Sequence, residues 1–152
     1  MNSVFLPNKN GSLTEYALSE PGTWTRPLAP IQSRKVYAAS HVVPDIFGDN
    51  TPGAPAQIDW DATLGFRHEI WSYGLGVADA MDTAQRGMGL DWAATQQLIR
   101  RSTAEASAAL TAGNSALKGR TVRDLIACGA GTDQLDPTDI APGEAGLRAV
   151  VE

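Results

Sequence analysis

The residues best equipped for chemistry fall in short clusters, each at or just beyond the end of an apolar run. Asp82 and Thr83 follow Val77 to Met81, with Gln85 and Arg86 close behind. His41 lies near the end of Val36 to Val43, and Asp45 comes just after Pro44. Thr132 and Asp133 follow Asp124 to Cys128 across the glycine-rich Gly129-Ala-Gly131. A carboxylate such as Asp82 can accept a proton, and an imidazole such as His41 can give or take one near neutrality. These two are the candidate catalytic residues. Thr83, Arg86, Thr132 and Asp133 are the candidate substrate-binding residues, the hydroxyls by hydrogen bonding and the guanidinium by holding a carboxylate or phosphate. Each has a plainer use. Asp and Thr cap helices, an arginine can sit solvated, and a histidine can be a hydrogen-bonded structural residue.

Clusters of this kind serve one site only when the runs before them are parallel strands, because an α/β sheet binds ligands outside its strands' carboxyl ends. Val36 to Val43 is a mostly apolar run without polar alternation, as expected of a strand buried on both faces, and Pro44 ends it. Val77 to Met81 is a short central strand, and Asp124 to Cys128 is a third. Helical periodicity separates them. Trp60, Leu64 and Trp71 recur at one- and two-turn spacing, with Asp59 as N-cap and Gly74 as the stop. A second helix starts at Asp91 and carries Trp92, Leu98, Ile99, Ala106, Ala109 and Leu110 on its apolar stripe. Its opening, Leu90-Asp-Trp-Ala-Ala-Thr95, echoes Ile58-Asp-Trp-Asp-Ala-Thr63, which supports a βα repeat. Thr111 to Arg123 is expected to be a polar connector, and Gly143 to Glu152 the start of another helix.

Residues 1–32 form a separate N-terminal piece. Ser3 to Leu6 and Leu13 to Tyr16 flank Asn10-Gly11, a dipeptide suited to a hairpin turn. Pro21, Pro27 and Pro30, with Gly22, then forbid regular structure in the arm that follows. Residues 33–152 hold the βα units. An open sheet of this size exposes strand edges, so homo-oligomeric association is expected.

The whole composition excludes several classes of function. A net charge of −5 over 152 residues argues against nucleic acid, which needs a basic face. No apolar run approaches the roughly 20 residues of a membrane span, and the N-terminus lacks the cationic start of a signal peptide. A cytoplasmic location is expected. The single cysteine, Cys128, is expected to be a small buried hydrophobe. His41 and His68 show no metal-ligand spacing, and the glycines after Cys128 miss the phosphate-cradling pattern at its last position. No metal and no cofactor are expected.

His41-Val-Val-Pro-Asp45, Ile58-Asp-Trp-Asp-Ala-Thr63, Trp71 to Trp92 and Ile126-Ala-Cys-Gly-Ala-Gly-Thr-Asp-Gln-Leu135 resemble an uncharacterised bacterial family described as dihydrodipicolinate-synthase-like, over about Leu6 to Leu135. The resemblance implies an α/β fold, a partial (β/α)8 TIM barrel of about three βα units. It also implies a class I aldolase or lyase chemistry, in which a lysine forms a Schiff base with a small keto acid. Thr83 matches one threonine of the superfamily's Gly-Thr-Thr-Gly-Glu loop, which holds the substrate carboxylate; the glycines of that loop have no counterpart in Met81 to Arg86. The Schiff-base lysine and the proton-relay tyrosine belong to later strands of such a barrel. Lys9, Lys35 and Lys118 sit in a hairpin turn, at a strand's amino end and in a polar connector, so the nucleophile is expected to be missing. The alternative is a non-catalytic α/β fragment that self-associates or complements another half-barrel.

Overall fold

The computed structural model describes residues 2–51, 54–80, 89–129, 135, 136 and 138. Strands β1 (Ser3–Pro7) and β2 (Leu13–Ala17) pair antiparallel, with Phe5 opposite Glu15. Their loop closes as the Asn-Gly dipeptide requires. Gly11 takes φ +81°, the Asn8 amide donates to the Ser12 carbonyl at 2.7 Å, and the Ser12 amide donates to Asn10 Oδ1 at 3.1 Å. Residues 18–36 then run without helix or strand, as three prolines in so short a span dictate. Contacts along this arm pin it to the body: Arg26 pairs with Glu69 at 2.7 Å, Arg120 donates to the Ile31 carbonyl at 2.9 Å, Lys35 pairs with Asp124, and the Gly76 amide donates to the Val36 carbonyl at 2.8 Å.

Strands β3 (Tyr37–Ala39), β4 (Gly76–Asp79) and β5 (Ile126–Cys128) make a second sheet. All are parallel and lie in chain order with β4 central. Helix α1 (Trp60–Ser72) links β3 to β4, and α2 (Trp92–Thr111) leads toward the short α3 (Val122–Leu125) and β5. The repeated hexapeptides do the same job twice. Asp59 accepts from the Ala62 amide at 2.9 Å and Asp91 from the Ala94 amide at 2.8 Å, so each helix starts on an aspartate cap with tryptophan as its first residue. Gly74, at φ +74°, ends α1 by donating its amide to the Trp71 carbonyl at 2.8 Å.

The helices cover one face of the sheet. Trp71, Val77, Ala106, Leu117 and Leu125 form the main buried cluster, and Trp71 Nε1 donates to the Leu125 carbonyl at 3.1 Å. Alternate residues of a strand point to opposite faces, so Val77 and Asp79 look toward the helices while Ala78 looks away. Ala39, Ala78 and Ala127 share one register row on that other face and are less buried than Val77.

Two strand expectations need correction. The run from Val36 is extended only over Tyr37–Ala39 and is largely exposed, because among the described residues the helices cover one face and β3 lies at the edge of the sheet. The third run begins as helix: Thr121 and Asp124 form a reciprocal capping box, so Val122–Leu125 coils and only Ile126–Cys128 is strand. The described residues thus make a mixed α/β fold of two small sheets and three helices, with no closed barrel. None of these helices is long and apolar enough to cross a membrane.

Candidate functional site at the carboxyl ends of the parallel strands

An ion pair that lies wholly out of solvent closes the carboxyl end of the sheet. Arg67, in α1, donates from Nη2 to Asp79 Oδ1 at 2.5 Å, and both side chains are 0 % exposed. Its other nitrogens reach α2, the preceding turn of α1 and the chain just beyond β3. Nε donates to Ser102 Oγ of α2 at 2.9 Å, and Nη1 to the Thr63 carbonyl at 2.7 Å and the His41 carbonyl at 3.1 Å, with Ser40 Oγ at 3.4 Å. One guanidinium therefore holds the ends of β3 and β4 in place beneath two helices. The planar fork of arginine suits this task, since a lysine could not point donors in so many fixed directions.

The sequence builds this clamp from helical spacing. Thr63, Arg67 and Trp71 fall at successive turns and are the buried residues of α1. Thr63 Oγ1 accepts the Val43 amide at 2.9 Å, and the Asp59 amide donates to the Val43 carbonyl at 2.9 Å, so the chain leaving β3 is tied to the start of α1. In α2, the buried seam Thr95, Leu98, Ser102 and Ala106 alternates hydroxyl and apolar residues and presents Ser102 to Arg67. Asp91 accepts a second amide, from Ala56, at 2.9 Å; the Ala94 and then the Ala56 hydrogen bond hold its carboxyl below the usual range.

Two buried oxygens here have no hydrogen-bond partner: Asp79 Oδ2 and Thr95 Oγ1. An unmet buried acceptor costs about 1–3 kcal/mol, and in a native site it calls for a water or a ligand group. Ala80, directly after Asp79, adopts φ +51°, a left-handed conformation disfavoured for a residue with Cβ and concentrated at functional sites. Across the sheet, Asp79 stands opposite Cys128, and the Gly129 amide donates to the Asp79 carbonyl at 3.3 Å. Cys128 is exposed as a residue, contrary to the expectation of a buried one, because β5 lies at the edge of the sheet among the described strands. Even so, desolvation of its thiol first, and the negative charge of Asp79 second, push its pKa up to about 11.

Of the candidates read from sequence, His41 stands two residues beyond the end of β3, exposed, with its ring edge-on to Phe66 at 5.8 Å. Asp82, Thr83, Arg86, Thr132 and Asp133 lie outside the described residues, as does the helix expected over Gly143 to Glu152. His68 is on the surface as expected, bonded through Nε2 to Glu105 at 2.8 Å. Lys35 pairs with Asp124 at the amino end of the sheet, while Lys9 and Lys118 are exposed in turns. Sequence reasoning missed Arg67 and Asp79. The signal was there: an arginine in step with Trp60 and Trp71, and an aspartate inside an apolar strand.

No curated protein matches the chain. A family model does, over residues 4–152, nearly the whole length. The chain belongs to that family, described as protein of unknown function (DUF993).

Proposed function

We propose that the chain forms the opening βα units of a (β/α)-barrel of the aldolase or lyase kind, and that the carboxyl ends of β3, β4 and β5 bind a small keto acid. The observation that carries this is Asp79: a buried carboxylate at the central strand's carboxyl end, oriented by Arg67 through one oxygen and with the other unmet. That second oxygen is out of solvent on the helix-facing side of the sheet, so it suits a buried water bridging toward the rim rather than the substrate itself. The Arg67 charge offsets Asp79, so an anionic substrate is not repelled. His41, exposed two residues past β3, is the group available for proton transfer. On sequence grounds Thr83 and Arg86 supply the grip on the substrate carboxylate, with Asp82, Thr132 and Asp133 alongside. Parallel strands in chain order are also how a barrel begins.

Lys9, Lys35 and Lys118 stand away from that rim, so the chain binds the keto acid through hydrogen bonds and forms no imine. Titration with pyruvate should give saturable heat, and His41→Gln, at an exposed side chain that leaves the buried pair intact, should weaken binding about tenfold, the worth of one hydrogen bond. Borohydride added with pyruvate should attach no mass. Absence of binding, or a reduced adduct on any lysine, contradicts the proposal.

A further inference from the structure

The N-terminal hairpin is an exposed surface whose chemistry the keto-acid site leaves unused. All five residues of β1 and all five of β2 are exposed, with Phe5 at 63 %, Leu13 at 66 % and Tyr16 at 57 %. An isolated two-stranded hairpin is marginal in water; independent stability takes three or more strands with an apolar face. This one is well specified internally. Ser3 Oγ donates to Glu15 at 2.6 Å, Asn8 Nδ2 to Thr14 at 2.6 Å, and the Leu18 amide to the Asn2 carbonyl at 2.9 Å. It shows apolar side chains on both faces. Val4, Leu6 and Tyr16 lie on one, and Phe5 and Leu13 on the other.

The two edges differ. β2 carries Glu15, which would meet its own copy across a two-fold axis, whereas β1 reads Ser-Val-Phe-Leu-Pro, has no charge, and lacks a donor amide only at Pro7, its last residue. We propose that β1 pairs, edge to edge and antiparallel, with β1 of a second copy of this chain, the two-fold axis passing near Phe5. The product is a four-stranded antiparallel sheet in the order β2-β1-β1-β2. A two-fold axis lays a strand antiparallel on itself, so the contact closes at a dimer.

Phe5, Leu13 and Tyr16, each more than half exposed, supply the apolar surface that such a contact buries. The arm is anchored at Arg26 and Ile31, which leaves the hairpin carried on the short tether before Arg26.

The test uses the full chain. Light scattering across a concentration series should show a dimer at tens of micromolar, and Phe5→Lys or Leu6→Lys should weaken association about tenfold or more while the circular dichroism stays unchanged. In a Cys128→Ser background, Phe5→Cys should oxidise to a covalent dimer. Residues opposite one another across antiparallel strands have Cα atoms about 4.5–5.5 Å apart, within disulfide range. Trp24→Cys in the same background, 84 % exposed but off the strand, should link far more slowly. A monomer at every concentration overturns the proposal. So do a dimer that both lysine variants leave intact, masses that run on to higher oligomers, and equal cross-linking at positions 5 and 24.

Discussion

Arg67 and Asp79 show how much one buried pair can organise. Taking either partner away leaves an uncompensated charge, which costs about 3–5 kcal/mol, whereas replacing both with apolar residues of similar size can be nearly neutral. Arg67→Met should therefore lower the urea midpoint sharply, and Arg67→Met with Asp79→Leu should restore most of the loss. If the double variant is no more stable than the single, the pair is not the electrostatic unit described. Cys128 reports on the same charge. Its thiol should label slowly at neutral pH and accelerate as pH rises toward about 11, and Asp79→Asn should shift that rise to lower pH. Neither Arg67 nor Asp79 emerged from composition or motif spacing, because charged residues are normally placed on the solvated face. Their positions were readable only as interruptions, a cation on the seam of Thr63 and Trp71 and an acid inside an apolar strand.

At the scale of elements, the sequence was most legible where local chemistry decides the backbone. The Asn10-Gly11 turn, the two aspartate caps, the Gly74 stop and the proline arm all appear where their residue types demand. It was least legible at strand ends. Val36, Val42 and Val43 are apolar enough for a strand, yet β3 is limited by the short span it can pair with β4. Asp124 reads as strand until its capping box with Thr121 is recognised. Asp59→Ala and Asp91→Ala should each cost about 0.5–2 kcal/mol as lost caps, with Asp91 the larger because it also holds the Ala56 amide. Gly76 is fixed by its neighbours: a Cβ there would meet Tyr37 Cδ1 at 2.6 Å and the Asp124 carbonyl at 2.7 Å. Gly76→Ala should lower stability by about 1–3 kcal/mol in denaturant unfolding.

The amino end of the sheet also sets an acid response. The Lys35 side chain first, and the Thr121 amide second, hold the Asp124 carboxyl down to about 2. A depressed carboxylate gives its full stabilisation above the ordinary value near 4 and loses it as pH falls toward 2. Asp124→Asn should flatten the stability profile in that window and leave it unchanged in shape near neutrality.

For the whole molecule, what matters is direction. Three strands run parallel in chain order, so their amino ends gather Lys35, Tyr37 and Asp124 while their carboxyl ends gather His41, Asp79 and Gly129. The sequence pointed to that polarity through polar residues after apolar runs, and the parallel pairing agrees with it. It could not show which polar groups are buried, since burial depends on how α1 and α2 cross the sheet. The most direct measurement is the backbone amide spectrum of the chain titrated with pyruvate. A site at the carboxyl ends predicts saturable shifts at His41, Ala80 and Gly129, with Lys35, Gly76 and Asp124 unmoved. Shifts confined to the amino-end residues, or none at all, would contradict it.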